Sequence, residues 1–170
     1  MTKISTALAL TLLILTLPPD RADASPHPME GRQAPPIHLK TVDGGPFHLD
    51  KVKADVVVLD FWATWCPPCR KGLPVLEKFQ SWVHQNKKSV AVVTVNLREN
   101  RSKVRSYWKK EKLTMPVVMD TNGQVAQSYG VRGIPQTAIL HKGRIVRVHV
   151  GFSPNMAEIL KADIEPLLDD

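Results

Sequence analysis

The feature that most constrains this chain is the run Val56-Val57-Val58-Leu59, followed shortly by a change of hydrophobic period. Consecutive β-branched residues without polar alternation suit a strand covered on both faces of a sheet. Further on, Leu73, Leu76, Phe79 and Val83 recur at three- and four-residue intervals, so the spacing predicts a helix from Pro67 to about Gln85, kinked at Pro74. A doubly covered strand feeding a helix is the repeating unit of an α/β domain. The pattern recurs with a strand at Val90 to Val95, a basic helix, a strand at Val117 to Met119, a turn at Thr121-Asn122-Gly123 and a short helix from Gln124 to Tyr129. Thr137 to Leu140 and Arg144 to Val150, joined at His141-Lys142-Gly143, read as a hairpin. An earlier hairpin pairs Ile37 to Val42 with Phe47 to Leu49 around Asp43-Gly44-Gly45. The last helix is expected to open at Ser153-Pro154, with Ser as cap and Pro in the first turn, and to present Met156, Ile159, Leu160, Ile164 and Leu167.

At 170 residues, 43% hydrophobic and 23% charged, the chain has room for one compact core and a short extension. That excludes a disordered chain, a repeat array and a multi-pass membrane protein. The apolar stretch Ile4 to Leu17 has 14 residues, short of the roughly 18 needed to span a bilayer. It follows Lys3, breaks at Pro18-Pro19 and reaches Ala22-Asp23-Ala24, a small-x-small cleavage pattern. Residues 1–24 are therefore expected to be a signal peptide cut after Ala24, an uncleaved N-terminal anchor being the alternative; either reading exports the domain. Residues 25–36, rich in proline, read as an extended lead-in, and 37–170 as the folded domain.

The net charge is +7, and removing residues 1–24 takes away Lys3 and Arg21 but also Asp20 and Asp23, leaving it unchanged. Much of the excess lies between Arg98 and Lys112. There Arg101, Arg105, Lys109 and Lys112 form a helical stripe opposite Val104, Tyr107 and Trp108, with Glu99 and Glu111 the only acids. Such a face is usually solvated, though it could meet acidic proteins or anionic lipid; nucleic acid is not an expected partner of an exported chain.

The chain has two cysteines, Cys66 and Cys69, in Trp65-Cys66-Pro67-Pro68-Cys69 at the strand-to-helix junction. A structural disulfide would close too short a loop to stabilise much. A structural zinc site needs about four ligands, and the six histidines show no H-x(3 to 5)-H pairing. C-x-x-C-H haem attachment fails because Arg70 stands where the His would be. A redox dithiol remains the favoured reading. A Cys at a helix N-terminus gains thiolate character from unpaired N–H groups and the macrodipole, which makes Cys66 the expected nucleophile and Cys69 the resolving thiol. Pro67 and Pro68 lack N–H groups and remove two of those stabilisers, arguing against an extremely acidic Cys66.

The segment Asp60-Phe61-Trp62-Ala63-Thr64-Trp65-Cys66-Pro67-Pro68-Cys69 resembles the strand and active site of the thioredoxin superfamily. Pro74 is similar to its helix kink and Gly133-Ile134-Pro135 to its cis-proline loop; the likeness runs from Ile37 to Leu168. Trp-Cys-Pro-Pro-Cys, an extra β-α unit before Pro135 and Pro116-Val117-Val118-Met119-Asp120 are similar to the envelope TlpA/DsbE type. The resemblance implies a thioredoxin-like fold: a central mixed sheet flanked by helices, with an N-terminal hairpin and a β-α insertion. It implies that Ile134-Pro135 is cis and lies beside the cysteines, its backbone pairing with an extended substrate. It implies that Trp62 and Trp65 flank the site, Trp65 being the better surface residue, and that Pro67 adjoins the substrate. Asp60, at the end of an apolar strand, is the expected acceptor of the Cys69 proton, burial raising its pKa. Two positions depart from the pattern. Thr94 stands where thioredoxin has a Lys near the buried acid, and Gly72 where some envelope reductases have an acid.

The expectation is an exported thiol-disulfide oxidoreductase that reduces cell-envelope protein disulfides. Maturation of cytochrome c or of a metal centre is the pathway the resemblance implies. It would be monomeric, supplied by a membrane electron donor, and without cofactor or metal. An oxidase or isomerase, a Cu(I)-binding chaperone and a peroxidase are the rivals.

Overall fold

The structure, a computed structural model, describes residues 26–168. The expected signal peptide and its cleavage site lie outside the described residues, among which no helix is long and apolar enough to cross a membrane. In chain order the elements are β1 (His38–Thr41), β2 (Pro46–His48), β3 (Val56–Trp62), α1 (Pro67–Gln85), β4 (Val90–Leu97), α2 (Arg101–Lys110), β5 (Val117–Asp120), α3 (Gln124–Ser128), β6 (Gln136–His141), β7 (Arg144–Val150) and α4 (Met156–Ile164). They form one seven-stranded sheet in the order β2-β1-β5-β4-β3-β6-β7. β3, β4 and β5 run parallel, and β1, β2, β6 and β7 join by antiparallel pairing, so the sheet is mixed.

Every residue of β3 is buried, as its run of valines requires. Because side chains alternate along a strand, Val56, Val58 and Trp62 enter one core with Leu73, Leu76 and Phe79 of α1 and Leu160 and Ile164 of α4. Val57, Leu59 and Phe61 enter the opposite core with Val93, Val95, Ala126, Tyr129 and Ile145. The same alternation places Asp60 on the α1 side, level with Thr94 of β4 and Thr137 of β6. This positions one carboxylate inside the sheet–helix interface. β5 and α3 supply the extra β-α unit.

Three local expectations need correction. α4 starts at Met156 with Asn155 as cap, because Ser153 Oγ instead accepts the Asn155 N–H and holds Ser153-Pro154 in a preceding turn. Lys112 lies beyond α2 in a left-handed turn (φ 55°), so the basic stripe of the helix ends at Lys109. The proline-rich segment is not a detached lead-in. Gly31 N–H donates to Ile145 O and Ala34 N–H to Gly143 O, Ile145 N–H donates to Arg32 O, and Met29 and Ala34 pack on the second core. β7 is an edge strand, and this segment covers part of its open hydrogen-bonding side.

Candidate active site

The redox motif sits where β3 gives way to α1. Cys66 is the helix cap, Pro67 and Pro68 fill the first helical positions with no N–H to offer, and the next donor, Cys69 N–H, points at Cys66 Sγ over 3.2 Å. Cys66 and Cys69 are joined as a disulfide with Cα atoms 5.3 Å apart. They are 3% and 1% exposed respectively, while Pro67 is exposed at the start of the helix.

The predicted companions converge on this pair. The Ile134-Pro135 bond is cis, and the Ile134 carbonyl oxygen lies 3.7 Å from Cys66 Sγ. Pro135, Asp60 and Cys69 together line a cavity of about 20 Å³, with Thr137 and Phe152 among its other walls. That volume accommodates one water molecule. Trp65 projects outward at 62% exposure. Trp62 is fully buried, its ring 5.0 Å from Trp108 and 5.6 Å from Tyr107, because strand alternation turns it into the α1-side core, the cluster that also holds Cys66 and Cys69.

Asp60 is 7% exposed and receives one side-chain hydrogen bond, from Thr137 Oγ1 at 2.9 Å. Burial pushes its carboxyl up to about 7, and the Thr137 bond offsets only part of that rise. Thr94, level with it on β4, donates instead to the Pro116 carbonyl at 3.0 Å, so no cation is supplied from that side.

A second carboxylate, which sequence reasoning treated only as a minority charge in a basic stretch, organises the approach to the cysteines. Glu99 is 8% exposed and lies beneath the β3–α1 loop. Thr64 donates to it twice, from N–H at 2.6 Å and from Oγ1 at 2.5 Å; Asn96 Nδ2 donates at 2.9 Å and Lys103 Nζ pairs with it at 2.8 Å. Burial pushes this carboxyl up, but the bonds from Lys103, Thr64 and Asn96 together outweigh it and hold Glu99 below its ordinary range. Thr64 and Glu99 are 35 residues apart, too far for local spacing to reveal the contact. Glu99 thus ties the end of β4 to the loop that carries Trp65 and Cys66.

A buried acid beside one sulfur, a capping Cys at a helix start and the carbonyl preceding a cis-proline beside the other sulfur, on a thioredoxin-like sheet, define a thiol-disulfide oxidoreductase. The chain belongs to the Redoxin family, whose model matches residues 29–164. It is 37% identical over 137 residues to thioredoxin-like protein YneN of Bacillus subtilis, covering 80% of each chain. It is 34% identical over 123 residues to thiol-disulfide oxidoreductase ResA of the same organism, covering 72% of this chain and 68% of ResA. Among solved structures it is similar to StoA from Bacillus subtilis, with a TM-score of 0.66, 33% identity and coverage of 78% of this chain and 98% of StoA.

Proposed function

We propose that this protein is exported and reduces disulfides of cell-envelope proteins through Cys66 and Cys69. The observation that carries this reading is the asymmetry of the pair. Cys66 caps the helix next to the Ile134 carbonyl, whereas Cys69 lies inward and shares a cavity with Asp60.

In the reduced protein Cys66 is the attacking thiolate, favoured by the Cys69 N–H and the α1 dipole. It attacks one sulfur of the client disulfide, forming a mixed disulfide and expelling the client's other sulfur as a thiolate that takes up a proton. Asp60 accepts the Cys69 proton through a water in the intervening cavity. The Cys69 thiolate then attacks Cys66 Sγ, releasing the second client thiolate, which is protonated in turn. Two electrons pass to the client, and the protein is left as the Cys66–Cys69 disulfide, which a membrane electron donor must reduce again. The cis-Pro135 loop pairs with the extended client backbone, with Ile134, Trp65 and Pro67 forming the contact surface. Apocytochrome c cysteines, which must be reduced before haem attachment, are a client class suited to this direction of electron flow. The leader pattern at residues 1–24 supports export.

Trapping tests the assignment of roles. Expressed full-length Cys69→Ala, which can attack but not resolve, accumulates client adducts that dithiothreitol releases, whereas Cys66→Ser yields none. Adducts of equal yield on both variants would reverse or abolish the proposed roles. Recovery of the mature chain starting at residue 25 from the envelope fraction tests export.

A further inference from the structure

Beside the redox centre lies an open groove of about 680 Å³, continuous with it through Trp65 and Ile134. Its walls are the end of β4, α3 and the loop leading to Pro135, and among the described residues its only charged side chains are Arg98 and Arg132. Both are exposed, and among the described residues neither forms an ion pair. Of the carboxylates nearest in sequence, Glu99 is engaged by Thr64, Asn96 and Lys103, while Asp120 is fully buried, one oxygen accepting from the Ala126 N–H at 2.8 Å and the other without a partner among the described residues.

Arg98 is held rather than merely solvated. Its backbone is left-handed (φ 53°), a conformation costing an L-residue roughly 1 kcal/mol and suiting glycine better. Its N–H donates to the Asp120 carbonyl at 3.0 Å, which fixes the turn. Its guanidinium lies across Gly123, where a Cβ would come within 2.5 Å of Nε. A cation occupies a position where the backbone favours glycine, and a glycine opposite leaves space for it. With a net charge of +7, the long-range field of the protein adds to the same preference.

We propose that this groove seats the client chain next to its disulfide, and that Arg98 and Arg132 select clients with carboxylate side chains flanking that disulfide. The inference rests on the thiol-disulfide reading and names its substrate class. Two exposed charge pairs give modest discrimination, screened by salt, and act mainly on the encounter rate.

The test uses three disulfide-cyclised peptides of equal length, their cysteines flanked by Asp and Glu, by Asn and Gln, or by Lys. Rate constants for their reduction by the fully reduced protein are followed by tryptophan fluorescence, with uncharged hydroxyethyl disulfide as reference. The acidic peptide is expected to react about fivefold faster than the neutral one at low ionic strength, and the gap to shrink in about 0.5 M salt. R98Q/R132Q should bring the two within about twofold while leaving the hydroxyethyl disulfide rate unchanged. Arg98→Gly, whose backbone suits the turn, should retain thermal stability and lose part of the preference. Lys109→Gln with Lys110→Gln, on the far end of α2, should keep it. Equal rates for all three peptides with the unaltered protein, or a preference that survives R98Q/R132Q, would overturn the proposal. If the unaltered protein reduces neither the peptides nor hydroxyethyl disulfide, the redox reading itself falls, and the inference with it.

Discussion

Asp60 and Glu99 are buried to nearly the same degree, 7% and 8% exposed, within the same end of the sheet, yet their carboxyl groups shift in opposite directions although burial pushes both up. Asp60 is faced by apolar side chains and one hydroxyl. Glu99 is met by a backbone N–H, a hydroxyl, an amide and an ammonium. The first group titrates near pH 7, the range that the proposed proton transfer would use; the second stays ionised and acts as a clamp. Desolvation alone therefore does not determine what a buried acid does: the number of donors aimed at it decides.

The contrast predicts opposite pH dependences of stability. Folded Asp60 retains its proton up to about pH 7, whereas in the unfolded chain it loses it near the ordinary carboxyl value of 3.8. Between those limits the native state binds the extra proton, so this group lowers stability as pH rises. Asp60→Asn should therefore stabilise the protein by roughly 3–4 kcal/mol at pH 8 and by little below pH 4, in urea unfolding across pH. The same variant should slow resolution of the mixed disulfide by roughly tenfold to a hundredfold at pH 7, leaving the first attack nearly intact. A stability gain independent of pH would break the comparison.

Glu99 has the reverse sign. Its folded pKa is depressed, so its contribution is present above the unfolded value and is lost as pH falls through the folded one. Glu99→Ala strands the Thr64 N–H and the Asn96 amide and should cost about 2–3 kcal/mol near neutrality, read by the same titration. Thr137→Val removes the only side-chain donor to Asp60 among the described residues. It should cost about 1–2 kcal/mol at pH 8 and move the pH midpoint of resolution above 7. Lys103→Gln is the smallest change, because the Lys103 side chain is 57% exposed: under about 1 kcal/mol, diminishing with salt.

How far the sequence foretold these two acids follows from the range of their contacts. β3 and α1 were legible because the valine run, the Cys cap, Pro67-Pro68 and the helical spacing all act within a few residues; α1 spans Pro67–Gln85 as the spacing predicts. Asp60 was legible as a buried acid because it follows that run directly. Its hydroxyl partner was not, since Thr137 reaches it from 77 residues away. Glu99 was concealed by its basic neighbours and because Thr64, its partner in the β3–α1 loop, lies 35 residues away. The start of α4 was misjudged because Ser153 and Pro154 carry helix-start chemistry that the turn before Asn155 uses instead. The segment before Ile37 carries polar turn composition, and only the exposed edge of β7 explains why it binds there.

The direction of electron flow is the centre of this account, and the equilibrium of Cys66/Cys69 with a defined thiol buffer measures it directly. Mass-spectrometric quantification of the reduced and oxidised forms across glutathione and dithiothreitol ratios should give a reduction potential near or below about −230 mV. A value near about −120 mV would identify an oxidant and contradict the proposed reduction of envelope disulfides.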